Sequence, residues 1–221
     1  MMKYSGYKGK ILKFNLTNGS VSTLVFGDEF ARKYLGGNGF AARYLIDMVD
    51  PSIDAYDPSN VVAMMTGPLQ GLDIPTAGKY YMATKSPLTK GYFDSVSGGY
   101  IGGQIKFAGY DGFLFTGRAE KPVYIFVDDS NVEIRPAEKL WGRLTGETQE
   151  MIKEEVGDPN LCVSAIGPAG ENLVKYGCVI TEFRAAGRGG VGAVMGSKNL
   201  KAVAVRGSGT TQPADQKKYD E

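Results

Sequence analysis

Two stretches of this 221-residue sequence carry residue types suited to an anionic ligand. The longer is Arg184-Ala-Ala-Gly-Arg-Gly-Gly-Val-Gly-Ala-Val-Met-Gly-Ser-Lys-Asn-Leu-Lys201. Five glycines and several alanines remove side-chain bulk there, while Arg184, Arg188, Lys198 and Lys201 add four positive charges that no acid opposes. Glycine reaches backbone angles closed to other residues, and successive exposed N–H groups can form an anion-binding concavity beside cationic side chains. The same composition suits a tight loop packed on its own sheet with solvated basic residues, and a glycine-rich run alone does not decide between the two. The second stretch, Pro75-Thr-Ala-Gly-Lys-Tyr-Tyr-Met-Ala-Thr-Lys-Ser-Pro-Leu-Thr89, is followed by Ser95-Val-Ser-Gly-Gly-Tyr-Ile-Gly-Gly103. Thr76-Ala-Gly-Lys79 echoes Ala185-Ala-Gly-Arg188, so the two stretches suggest a cradle closed from two sides.

The elements that must position these segments come in two similar runs. Alternating apolar residues flank a Thr-Asn-Gly turn between Lys10 and Phe26, which predicts a β-hairpin. Asp28 is placed to cap a helix carrying Phe30, Tyr34 and Leu35, with Gly36-Gly-Asn-Gly39 as its end and tight turn. A second helix is expected over 40–49, then a buried strand over 60–66 that stops at Gly67-Pro68. In the second run, 122–127 and 132–135 make another hairpin and 137–156 makes helices, with Trp141 in the core. Asn160-Leu-Cys-Val-Ser-Ala-Ile166 mirrors the strand from Asn60 and stops at Gly167-Pro168, and a last strand covers 201–207. An internal duplication with halves at about 10–87 and 122–207 accounts for this plan. Hairpins dominate and helices are few, so the expected class is α+β with largely antiparallel sheets. Residues 1–207 form the domain, and 208–221 read as a linker.

Composition narrows the function. Lys and Arg total 25 against 24 Asp and Glu, a net charge of +1 that argues against a general nucleic-acid surface. No apolar run approaches the roughly 18 residues of a membrane span and no secretion signal is evident, so the expectation is a cytoplasmic protein with no membrane role. Histidine is absent, which removes the commonest general base and metal ligand. Cys162 and Cys178 form no Cys-x-x-Cys pair and cannot alone supply the four or so thiolates of an iron–sulfur cluster; both are read as buried structural thiols. Gly187, Gly189 and Gly192 spell a dinucleotide fingerprint, but no acidic strand end follows at the required distance.

The order of Gly-Gly-Asn-Gly (36–39), Thr-Gly-Pro (66–68), Thr-Lys-Ser-Pro-Leu-Thr (84–89), Ser-Gly-Gly-Tyr (97–100), Lys-Phe-Ala-Gly-Tyr-Asp (106–111), Ile-Gly-Pro-Ala-Gly-Glu-Asn-Leu-Val-Lys (166–175) and the 184–201 segment resembles the N-terminal domain of the tungsten-containing aldehyde:ferredoxin oxidoreductases. The resemblance covers nearly the whole chain. It implies a cofactor-binding domain of an oxidoreductase that converts aldehydes to carboxylic acids, with ferredoxin as electron acceptor. A bis-pterin (molybdopterin-type) tungsten or molybdenum cofactor would lie on it, its phosphates bridged by magnesium. A four-iron four-sulfur cluster and most of the substrate pocket would belong to helical domains of the same enzyme. By resemblance Lys79 stands between pterin and cluster, where some members carry arginine. Main-chain carbonyls of Val96 and Ala185 would ligate the magnesium. Ser97, Gly98 and Gly99 would line one side of the pterin phosphates, with Arg184, Ala185, Gly187 and Arg188 on the other. No residue of this chain is assigned a catalytic role, and the domain alone is expected to be inactive. The residues themselves leave ordinary roles open: a surface lysine at 79, a strand turn at 97–99, and ion pairs from Arg184 or Arg188 to Glu182 or Glu171. The other reading is a stand-alone pterin-binding or assembly subunit, and a homo-oligomer is open in either case.

Overall fold

The computed structural model describes residues 2–220. Strands β1 (Lys10–Asn15) and β2 (Ser20–Val25) form the first hairpin, in which Gly19 at φ +70° supplies the left-handed residue of the turn. Helix α1 (Asp28–Tyr34) begins after Gly27, which takes the N-cap place expected of Asp28. The Asp28 carboxylate instead accepts the N–H groups of Lys3 (2.8 Å) and Tyr4 (3.3 Å), tying the N-terminal segment to the helix start. Helix α2 (Asn38–Met48) starts two residues earlier than expected, because Gly37 at φ +51° turns the chain directly into it. A Cβ on Gly37 would lie 2.7 Å from the Tyr81 ring, so close packing as well as geometry requires glycine. Then come β3 (Val62–Thr66), β4 (Tyr80–Lys85), β5 (Tyr92–Ser97), α3 (Ile101–Phe107) and β6 (Gly112–Thr116).

The second run consists of β7 (Val123–Asp128), β8 (Asn131–Pro136), α4 (Thr145–Val156), β9 (Cys162–Ala165), α5 (Pro168–Glu171), β10 (Val179–Thr181), β11 (Arg184–Ala186), α6 (Val191–Ser197) and β12 (Leu200–Arg206). A short α7 (Gln216–Asp220) follows within the stretch read as a linker. Of the helices expected over 137–156, only the part from Thr145 forms. Ala137 and Leu140 are core residues ahead of it, and Trp141 is half-buried rather than central.

Each run makes one six-stranded sheet. The orders are β2-β1-β6-β3-β4-β5 and β8-β7-β12-β9-β10-β11, identical strand for strand when the second is counted from β7. Each contains one parallel pair, β1 with β6 and β7 with β12, and is otherwise antiparallel. The duplication is thus a property of the topology, and the unit it repeats runs from β1 through β6. Matched this way, β5 and the glycines after it correspond to β11 and the glycines after it. The echo between 76–79 and 185–188 therefore joins positions that are not equivalent, since the first precedes β4 and the second begins in β11.

The two sheets face one another across a shared core. Leu12, Phe14, Met64, Phe113 and Phe115 of one meet Ile125, Val127, Val203 and Val205 of the other, with Ile105 of α3 and Val194 and Met195 of α6 in the same cluster. Helices α3 and α6 each touch strands of both sheets. The outer face of the first sheet is covered by α2 through Phe40 and Leu45, and that of the second by α4 through Ile152. Along β3, Val62 and Met64 point to the shared core while Ala63 and Met65 point under α2. Burial on both faces is why this strand reads as an unbroken apolar run. Charged groups are also built into the interior, among them Lys106, which pairs with Asp111 and donates to the Gly6 carbonyl (2.7 Å), while Asp111 accepts the N–H groups of Lys8 and Gly9.

Candidate functional site

Strand β5 ends one sheet and β11 ends the other, and the two edges lie against each other without forming a ladder. Sheet edges leave backbone N–H and C=O groups free of a strand partner. The seam between them is tight. The Arg188 N–H donates to Ser95 Oγ (3.1 Å), a Cβ on Gly189 would fall 2.3 Å from the Phe93 ring, and a Cβ on Gly98 would stand 3.0 Å from Arg184 Cδ.

Beside this seam opens a cavity of about 550 Å³ whose wall includes Gln70, Asp73, Thr76, Gly78, Lys79, Gly98, Gly99, Tyr100, Gln104, Phe107 and Arg184. Four residues singled out in the sequence, Lys79, Gly98, Gly99 and Arg184, therefore share one concave surface although they come from both halves. Ser97 is buried behind the wall, its hydroxyl 3.4 Å from the Gly98 carbonyl oxygen. Val96 and Ala185 are exposed on the two facing edge strands. Gly187, half-buried, and Arg188, exposed, continue past the end of β11 and do not line the cavity. Among the described residues neither Lys79 nor Arg184 nor Arg188 joins an ion pair, and Asp73 is the one acid on the cavity wall. Two cations without a protein partner beside exposed strand edges can bind phosphate oxygens, and edge carbonyls can coordinate a hard cation. The residues present thus fit a phosphate-bearing ligand and its bridging ion. No group of three or more Cys, Asp and Glu side chains is placed to hold a metal among the described residues.

The loop that presents Lys79 is held by a residue the sequence did not mark. With its amide nitrogen turned toward them, Gln70 donates to the carbonyls of Ala77 (2.9 Å) and Lys79 (2.6 Å), while Thr76 takes φ +68°. Gln70 is buried, and a Cβ on Gly102 would stand 2.3 Å from the other end of its side-chain amide. The only sequence signal was the glycine opposite it. Glu182, a possible partner for Arg184 in the sequence, instead turns at φ +55° to accept the Tyr100 N–H at 3.4 Å. Beyond Arg184 and Tyr100 lies a second cavity of about 780 Å³ with Lys153, Cys162, Glu182, Phe183 and Arg206 on its wall.

Much of the 184–201 segment has another purpose. Lys198 is fully buried and donates to the carbonyls of Pro58 (2.9 Å) and Gly117 (3.1 Å). Lys201 is buried against Glu171, which is thereby not the partner of either arginine, and donates to the Arg143 carbonyl (2.9 Å). Burial pulls the pKa of both lysines down. Cβ atoms on Gly192 and Gly196 would come within 2.4 Å of the Cys178 carbonyl oxygen and 2.0 Å of that of Gly170. These glycines let α6 press on the segment around α5. The fingerprint spelling at 187–192 does sit between a strand and a helix, but the Gly192 N–H is spent on the Gly177 carbonyl (3.0 Å) inside the protein. Cys162 is buried and burial raises its thiol pKa to about 12, whereas Cys178 is half-buried rather than enclosed. No helix among the described residues is long and apolar enough to cross a membrane.

Comparison with known proteins converges on one family. The family model described as aldehyde ferredoxin oxidoreductase, N-terminal domain, matches residues 11–207. The tungsten-containing aldehyde ferredoxin oxidoreductase of Pyrococcus horikoshii is 51% identical over 98% of this chain, and the alignment spans 36% of that protein. The aliphatic sulfonate oxidoreductase, WOR-like subunit, of Pyrococcus furiosus is 37% identical over 92% of the chain and 35% of its own length. Among solved structures, a chain of the active-site complex BamBC of benzoyl coenzyme A reductase, in complex with 1,5-dienoyl-CoA, superposes with a TM-score of 0.92 at 38% identity, over 94% of this chain and 32% of that one. The chain thus spans about a third of the length of the relatives it matches.

Proposed function

The chain belongs to the aldehyde ferredoxin oxidoreductase family, and on that premise we propose that it is the base on which a tungsten bis-pterin cofactor lies in an enzyme that oxidises aldehydes to carboxylic acids and delivers electrons to ferredoxin. The observation that carries this reading is the cavity beside the two sheet edges, whose wall includes both Lys79 and Arg184, neither of them in an ion pair among the described residues. The relatives support it in a second way. Their names specify an aldehyde, an aliphatic sulfonate and a coenzyme A thioester as the compounds concerned, yet all share this domain. A part common to enzymes of such different substrates serves what they have in common, which is holding a redox group.

In this reading Arg184 binds a pterin phosphate, with Gly98 and Gly99 allowing close approach of the backbone from the first half. Ser97, Gly187 and Arg188 support the two rims. The main-chain carbonyls of Val96 and Ala185, on facing edge strands, hold the bridging magnesium. Lys79 stands toward the iron–sulfur cluster, which other parts of the enzyme hold together with the substrate pocket. The cofactor, when bound, supplies the two-electron chemistry; this chain contributes charge, orientation and a fixed platform. No side chain here needs to move a proton, in keeping with the lack of histidine.

The test is Arg184→Ala in the full-length protein, with tungsten and pterin measured per chain. A charge-assisted contact to phosphate is worth about 1.5 to 3 kcal/mol, so the variant is expected to be purified with clearly less of both. An Arg184→Ala protein with the full complement of tungsten and pterin would overturn the assignment.

A further inference from the structure

The proposed platform needs a fixed separation between its halves, because Lys79 and Ser97 belong to one sheet and Arg184 and Ala185 to the other. Most of what lies between the sheets is apolar, and apolar contact is not directional. Within that interior sits a cluster of hydroxyls. Tyr80, the residue after Lys79, is fully buried, and its Oη lies 2.6 Å from Thr181 Oγ1 and 3.4 Å from Ser164 Oγ. Ser164 and Thr181 also hydrogen-bond each other. Strand register ties both ends of this bridge to the site. Tyr80 stands opposite Ser97 on β5, and Thr181 stands opposite Arg184 on β11. Thr181 Cγ2 also lies 3.7 Å from where a Cβ on Gly99 would be.

We propose that the Tyr80 hydroxyl, bonded across the sheets to Thr181 and Ser164, is a positioning group that fixes the distance between the strands presenting Lys79 and Ser97 and those presenting Arg184 and Ala185. The proposal rests on the reading that these residues hold the pterin cofactor. A hydrogen bond fixes length and angle, and a buried hydroxyl left unpaired is costly, so sliding of one sheet over the other is opposed at this point. Burial raises the Tyr80 pKa, so the phenol keeps its proton and remains able to donate. Removing the phenol oxygen leaves Ser164 and Thr181 bonded to each other, so the fold survives while the link between sheets is lost.

The experiment uses the full-length protein and follows tungsten retained per chain during incubation with a chelator in high salt. Tyr80→Phe and Thr181→Val are expected to lose tungsten about tenfold faster than the wild type, equivalent to about 1.4 kcal/mol. Thr181→Ser, which keeps the hydroxyl, is expected to match the wild type. Ile152→Val, in the core under α4, serves as a control for stability alone and is expected to lower the melting temperature without hastening tungsten loss. Wild-type retention in Tyr80→Phe, or equally fast loss from Ile152→Val, would overturn the proposal; should Tyr80→Phe fail to fold, Thr181→Val decides. A wild-type protein that carries no tungsten would remove the functional reading and this proposal together.

Discussion

Lys198 is a cation enclosed without a carboxylate against it, and that gives the protein a measurable pH dependence. Its side chain has no solvent exposure, and Nζ is held by the carbonyls of Pro58 and Gly117 while the Arg118 guanidinium lies nearby, donating to the Ser197 and Tyr56 carbonyls. Burial, and then the charge of Arg118, lower its pKa from 10.5 to about 7. The unfolded chain therefore holds a proton on this group between about pH 7 and 10.5 that the folded chain has released. Stability rises with pH wherever the unfolded state binds more protons, so the cost of charging Lys198 is full below pH 7 and is relieved as pH rises. One proton of difference is worth about 1.4 kcal/mol per pH unit, hence roughly 2 kcal/mol between pH 7 and 9. For a domain of this size that is a rise in melting temperature of about 4 to 8 °C. Lys106 and Lys201 titrate in the same sense, and Cys162, with its thiol raised to about 12, acts in the opposite sense only from about pH 9. Subtracting the profile of Lys198→Met from that of the wild type isolates the one group. Calorimetry from pH 6.5 to 9 is expected to show a shallower slope in the variant. Parallel slopes would refute the inference that this lysine is uncharged at alkaline pH.

Two further outcomes follow from the packing. Gly196→Ala forces apart α6 and the segment at Gly170, where the added carbon would lie 2.0 Å from a carbonyl oxygen, and is expected to cost about 1 to 3 kcal/mol or more, read as a lower melting temperature. In the folded protein a disulfide reagent at pH 8 should react with Cys178 and leave Cys162 untouched, because Cys162 is buried with its thiol pKa raised; mass mapping of the labelled peptides after digestion checks it, and rapid labelling of Cys162 would contradict the burial.

What was legible in the sequence was what local chemistry dictates. The hairpins at 10–26 and 122–136, the strands before Gly67 and Gly167, and the repeated order of elements all follow from alternation and turn residues. The identity of the repeat was harder to read, because similar spelling at 76–79 and 185–188 comes from different places in the two sheets. Charge was the least legible property. Arg184 and Lys198 look alike in the sequence, yet one faces the cavity and the other is sealed under Pro58 and Gly117, a difference set by contacts with residues more than eighty positions away. Glycine was ambiguous for the same reason: Gly98 and Gly99 border the cavity, while Gly192 and Gly196 serve the contact between helical segments. Gln70 gave no signal, since one glutamine in a loop is unremarkable until its amide is seen to hold the Lys79 turn.

The position of the cavity has a physical cause in the duplication itself. An open sheet has two edges, and each exposes backbone groups that must meet water, another strand or a ligand. In each repeat β2 or β8 is one edge, and β5 or β11 is the other. Packing the repeats face to face over α3 and α6 brings β5 and β11 together without one continuous ladder, with Phe93 lying against Gly189 and Arg184 over Gly98. The seam therefore retains unpaired backbone from two strands at the place where both glycine-rich turns leave the sheets. A single copy of the repeat would have the edge and the turn but no opposing wall. Two copies make the cleft, and the side chains that charge it, Lys79 from one and Arg184 from the other, occupy positions that are not equivalent in the repeat. The fold is symmetric in its strands while the cavity is not symmetric in its residues.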